Sequence, residues 1–120
     1  MPEFSELQQT AWDISEAHGH HEAIYRLCED NPPLIDVVMK LSLVMEEVVE
    51  AQRYCREVDS INELLLTSEY DENGRPDGFA AELADIVIRV MDLAQNLDIN
   101  LSNVIIDKNQ YNETRSFRNW

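Results

Sequence analysis

The chain has 120 residues, 44% of them hydrophobic, and carries 24 acidic against nine basic side chains for a net charge of −15. That length suits one domain, spanning 1–120, and the apolar content argues against a disordered chain. The charge opposes binding to a nucleic-acid polymer, whose phosphates need cationic contacts to release counterions, and favours bound cations or basic partners.

The three glycines and four prolines cluster at a few points, so long uninterrupted helices are expected. A first helix is expected over about Glu3–His18, with Phe4, Leu7, Ala11 and Ile14 at helical spacing. Gly19 within His18-Gly-His20-His21 interrupts it, and a shorter helix follows over about Glu22–Glu29. Asn31-Pro32-Pro33 then breaks the chain, because a residue before proline avoids helical dihedrals. The second long helix runs over about Leu34–Val58, with Leu34, Val37, Val38, Leu41, Val44, Met45, Val48 and Ala51 as its apolar stripe.

A short helix is expected within 60–67, followed by the loop Glu69–Gly78, rich in Gly, Pro, Asn and Asp. The third long helix covers about Phe79–Asn96, with Asp77 as its cap and Phe79, Leu83, Val87, Val90, Ala94 and Leu97 as its stripe. The last begins at the cap Asn100 and turns Leu101, Val104 and Ile105 inward. No strand-like alternation and no repeat interrupts this pattern. The expected fold is all-α, a four-to-five-helix bundle.

Cys28 and Cys55 show no C-x-x-C spacing, and reduced thiols are expected. The N-terminus lacks a basic and an apolar region, so no signal peptide is expected. No apolar run reaches the ~18 residues of a membrane span. A cytoplasmic protein with no membrane contact is the expectation.

Two carboxylate pairs stand out, Glu47/Glu50 and Glu82/Asp85, each at i and i+3 on one helical face. One such pair is commonplace on a solvated surface. Both, however, lie on the shoulder of an apolar stripe: Glu47 and Glu50 share a strip with Leu43 and Tyr54, whereas Glu46 points away from the core. Carboxylates converging there repel unless a cation neutralises them. Oxygen ligands without His or Cys favour Mg²⁺, with Mn²⁺ as substitute. The Glu-x-x-His pairs of di-iron bundles do not occur. On the last helix Lys108, Tyr111, Asn112 and Arg115 form one stripe suited to phosphates and a nucleotide's polar edges.

Together, Glu47-Val-Val-Glu50, Glu82-Leu-Ala-Asp85 and Lys108-Asn-Gln-Tyr-Asn112-Glu-Thr-Arg115 resemble the motif set of MazG-type all-α nucleotide pyrophosphohydrolases, over roughly 34–116. The resemblance implies a bundle completed by dimerisation, as a homodimer or homotetramer. It further implies hydrolysis of a nucleoside triphosphate (NTP or dNTP) to the monophosphate and pyrophosphate. By it, Glu47, Glu50, Glu82 and Asp85 hold Mg²⁺, and Glu47 or Glu50 takes a proton from water. Lys108, Tyr111, Asn112 and Arg115 contact substrate. A phosphoribosyl-ATP pyrophosphohydrolase is the neighbouring activity to separate from this one.

Outside the motif, Trp12 is a candidate to stack on a base or else a core residue, and His18, His20 and His21 are a candidate metal or phosphate cluster or else an exposed turn. The long stretch Cys55–Gly78, with its triplet Leu64-Leu65-Leu66, is a lid, a dimer arm or an insertion. The rival reading from a different class is a non-catalytic acidic helical dimer that binds a basic protein partner.

Overall fold

The computed structural model describes residues 2–18 and 34–115. The expected short helix over 22–29, the break at 31–33, and His20 and His21 lie outside them. Five helices follow in order: α1 (Phe4–Ala17), α2 (Ile35–Arg56), α3 (Ile61–Leu66), α4 (Phe79–Asn96) and α5 (Leu101–Glu113). Among the described residues the only strand-like feature is an isolated bridge between Tyr70 and Pro76. The fold is all-α, and none of these helices is long and apolar enough to cross a membrane.

Helix starts follow local chemistry. Ser60 and Asn100 cap α3 and α5 by accepting from the backbone N–H of Glu63 and Asn103. Asp77 does not cap α4. Its carboxylate instead accepts from the Tyr54 hydroxyl at 3.3 Å, while Thr67 Oγ1 and Ser68 Oγ take the N–H groups of Phe79 and Ala80 at 3.1 and 2.9 Å. Helix α4 is therefore capped from the α3 end, which fixes where the loop between them must lie. At its far end α4 closes in a Schellman turn, Ile99 N–H to Ala94 O and Asp98 N–H to Gln95 O, with Asp98 left-handed at φ 55°.

Helix α4 is the hub. Both α2 and α1 pack along it, and α5 returns against α1. Small or polar residues make those seams: the buried apolar set is Ala11, Ala51, Met91 and Ala94, beside buried Gln8, Asp36 and Asp92. Gln8 donates to Gln95 Oε1 and to Ile99 O, both at 2.9 Å, and Trp12 Nε1 donates to Asn96 Oδ1. Ser15 donates to Asp92 at 3.1 Å, and Lys40 lies 3.9 Å from the same carboxylate. Burial lowers the Lys40 pKa, opposed by Asp92 and reinforced by Arg89. A polar layer thus runs through the interior, held by paired amides and charges.

The expected apolar stripes behave differently. On α2 the strip turned to α4 carries Lys40 and Glu47, with Leu43, Ala51 and Tyr54 at the same helical register. Of the expected stripe only Ala51 is buried, while Leu34 is 78% and Met45 67% exposed, with Val38, Leu41 and Val48 also open. Leu7, Ile14, Leu83 and Val87 are exposed too, and Val104 and Ile105 of α5 do not turn inward. Among the described residues the hydrophobic period marks faces that stay exposed.

Candidate functional site

One turn of α2 and the first turns of α4 bring acidic side chains together. Glu47 projects from the α4-facing strip of α2, and Glu82 and Asp85 from the facing strip of α4. One oxygen from each of the three lies within 4.8 Å of the others, with Glu47 and Glu82 half-buried and Asp85 exposed. Hard cations bind oxygens at about 2.0–2.6 Å, so this spread spans a single ion. The donor set, all carboxylate, fits Mg²⁺ or Mn²⁺.

Three of the four predicted carboxylates therefore meet. Glu50 does not join them: it turns to Arg53 on its own helix, 3.1 Å away, with both side chains partly exposed. Its charge still reaches Glu82. Glu46 is exposed, as its angular position requires.

Crowding of like charge marks the cluster. The Glu82 carboxyl is pushed above the usual carboxylate range first by burial, then by the charges of Asp85 and Glu47, a hydrogen bond with Glu47 and the charge of Glu50. Asp85 is raised by burial and by Glu47, while Arg89 and Arg75 pull the other way. Arg89 Nε sits 3.4 Å from Glu47 Oε1. Tyr54, one turn beyond Glu50, has its hydroxyl raised by burial, then by the Asp77 carboxylate it bonds, and by Glu82.

Beside the cluster lies a cavity of about 820 Å³ between α1 and α4. Glu47 and Asp85 stand on its wall, and Leu7, Ile14, Leu83 and Ile88 give it an apolar lining. Ser15, His18 and Asp92 add polar groups. Of the histidines singled out in sequence, His18 is the one within the described residues. Trp12 is not among the lining residues; its indole N–H is committed to Asn96 in the α1–α4 seam.

The stripe on α5 forms, but apart from the carboxylates. Lys108 Nζ and Arg115 Cζ lie 5.6 and 5.4 Å from the centre of the Tyr111 ring, and Arg115 donates to Asn112 Oδ1 at 3.3 Å. Two cations thus flank an exposed phenol. The cations acting on Asp85 are Arg89 and Arg75, and none comes from α5. Sequence reading passed over both. Arg89 had a signal, since it follows Asp85 by four residues on one face; Arg75, in a loop, had no period to betray it. No family model, curated protein or solved structure matches the chain.

Proposed function

We propose that the chain is a Mg²⁺-dependent nucleoside triphosphate pyrophosphohydrolase that works as a homodimer or a dimer of dimers. The observation that carries the reading is the Glu47/Glu82/Asp85 oxygen cluster opening on an apolar cavity of about 820 Å³. An acidic trio alone is ordinary. Joined to a pocket large enough for a nucleotide, it provides a place for the triphosphate and another for the nucleoside.

In this reading Glu47, Glu82 and Asp85 hold the ion. Bound there, Mg²⁺ would offset phosphate charge and ease departure of pyrophosphate. Arg89 restrains Glu47 from behind. Glu50, outside the trio yet near enough to act on Glu82, would orient the attacking water and accept its proton, its carboxylate held by Arg53. Leu7, Ile14, Leu83 and Ile88 exclude water around the nucleoside.

Exposed apolar side chains on the described helices support the second copy. The α2 face of Leu34, Ile35, Val38, Met39, Leu41 and Met45 is distinct from the cavity and is assigned to that contact. A second copy also gives the Lys108/Arg115 stripe a route to the carboxylates it does not meet in its own chain.

The test is incubation of purified protein with ribo- and deoxynucleoside triphosphates and phosphoribosyl-ATP, with Mg²⁺ or with EDTA. Mg²⁺-dependent pyrophosphate release from a nucleoside triphosphate supports the reading. Orthophosphate alone, or no product from any of them, removes it.

A further inference from the structure

We infer that Ser15, its proton committed to the buried Asp92, makes the cavity between α1 and α4 favour nucleotides whose base presents an amino group over their oxo counterparts; the inference rests on the function proposed above. The helices fix where that hydroxyl stands. Gln8 on α1 meets Gln95 on α4 and Ser15 meets Asp92, so the two helices run antiparallel. Asp85 and Asp92 both line the cavity from one face of α4, with Asp92 about 10 Å along the helix from the carboxylate cluster. A nucleotide with its phosphates at the cluster reaches that far with its base.

The direction of the Ser15–Asp92 bond follows from the groups that make it. A carboxylate accepts only, so the Ser15 Oγ proton points to Asp92 Oδ2, 3.1 Å away. Asp92 is 5% exposed, and Lys40 Nζ lies 3.9 Å from the same oxygen. Ser15 is half-buried on the cavity wall, where its oxygen has only lone pairs left to offer. Asp92, on the same wall, is an acceptor as well. The described side chains that flank the pair, Ala11, Ile14, Ile88 and Met91, carry no strong hydrogen-bonding group. Arg89, a turn nearer the cluster, turns its Nε to Glu47. Thr10 has a hydroxyl that can give or accept, and so does not discriminate.

The exocyclic amino group of cytosine or adenine donates into such a wall. The oxo group that replaces it in uracil or hypoxanthine sets lone pairs against lone pairs. To donate to that oxo group, Ser15 must turn its proton away from a carboxylate, and Asp92 then loses a hydrogen bond in a buried position.

The experiment is calorimetric titration, in saturating Mg²⁺, with the α,β-methylene analogues of CTP, UTP, ATP and ITP, whose bridging carbon blocks release of pyrophosphate. Wild type should bind the CTP analogue over the UTP analogue, and the ATP analogue over the ITP analogue, by roughly 10- to 100-fold. Ser15→Ala, which removes the oriented oxygen, should bring both ratios to within about threefold of one. In Asp92→Asn the amide can donate to Ser15 and release its proton to the cavity, so the preference should turn toward the oxo bases. Wild-type ratios within about threefold of one, ratios unmoved in Ser15→Ala, or a wild type that binds none of the four overturn the inference. The two readings fail separately. Discrimination among the analogues without Mg²⁺-dependent pyrophosphate release from any nucleotide sinks the enzymatic reading and keeps the preference; an active enzyme blind to the exocyclic group does the reverse.

Discussion

Replacing Glu82 with Gln removes one of three charges whose oxygens lie within 4.8 Å, with almost no change of shape. Two unit charges at that separation repel by about 0.9 kcal/mol in water and about 3.5 kcal/mol at an effective dielectric of 20. The exposed Asp85 opens the cluster to solvent, so the low end applies, and relief from both neighbours comes to about 2 kcal/mol. For a chain of this length that raises Tm by about 8 °C. The assay is thermal unfolding in EDTA at pH 8 and in saturating Mg²⁺, at one protein concentration. In EDTA the variant melts higher than wild type. A ligand at about 100 times its Kd adds about 2.7 kcal/mol, so in Mg²⁺ the wild type recovers the difference and the variant gains far less. A variant that melts no higher than wild type in EDTA, or equal gains from Mg²⁺ in both, refutes the reasoning.

Other outcomes follow from the same arrangement. Glu82 and Asp85 titrate above their ordinary values of 4.5 and 3.8, so the folded form holds their protons more tightly than the unfolded one. Their contribution to metal-free stability is therefore full below the unfolded values and is lost as pH rises through the folded ones. The melting difference between wild type and the double variant Glu82→Gln/Asp85→Asn should grow more unfavourable to wild type as pH rises, and a pH-independent difference contradicts this. If the α5 stripe serves the partner's carboxylates, mixing inactive Glu82→Gln and Lys108→Ala proteins restores about a quarter of wild-type turnover, since half the dimers then hold one intact site; no recovery places the site within one chain. Asp92→Ala strips Lys40 of a buried counter-charge and Ser15 of its acceptor, which should cost about 3 kcal/mol in denaturant unfolding. A loss below about 1 kcal/mol would show that water already reaches Lys40.

Helix positions were legible because their signals are local: the Asn100 cap, the Gly and Pro content of 69–78, and unbroken helical spacing in 79–96. Which face of each helix packs inward was less so. Periodicity reports every apolar face without naming its partner, and on α2 the wide stripe lies open while the strip of Lys40 and Glu47 meets α4. The three carboxylates were readable from i, i+3 spacing. Glu50 left the cluster because Arg53, three residues on, offers it a nearer charge. Asp77 read as a cap, but Thr67 and Ser68, brought back by the loop, reach the α4 N–H groups instead. Arg75 depends on a turn folded around Asp71, and such tertiary placement leaves no period in the sequence.

The most direct measurement of the central claim is product analysis in ¹⁸O-labelled water, with the nucleoside triphosphate that the panel selects and with Mg²⁺. The account predicts a nucleoside monophosphate carrying the label and unlabelled pyrophosphate, with both products lost in Glu82→Gln. Labelled orthophosphate with a nucleoside diphosphate, or unchanged turnover in Glu82→Gln, would contradict it.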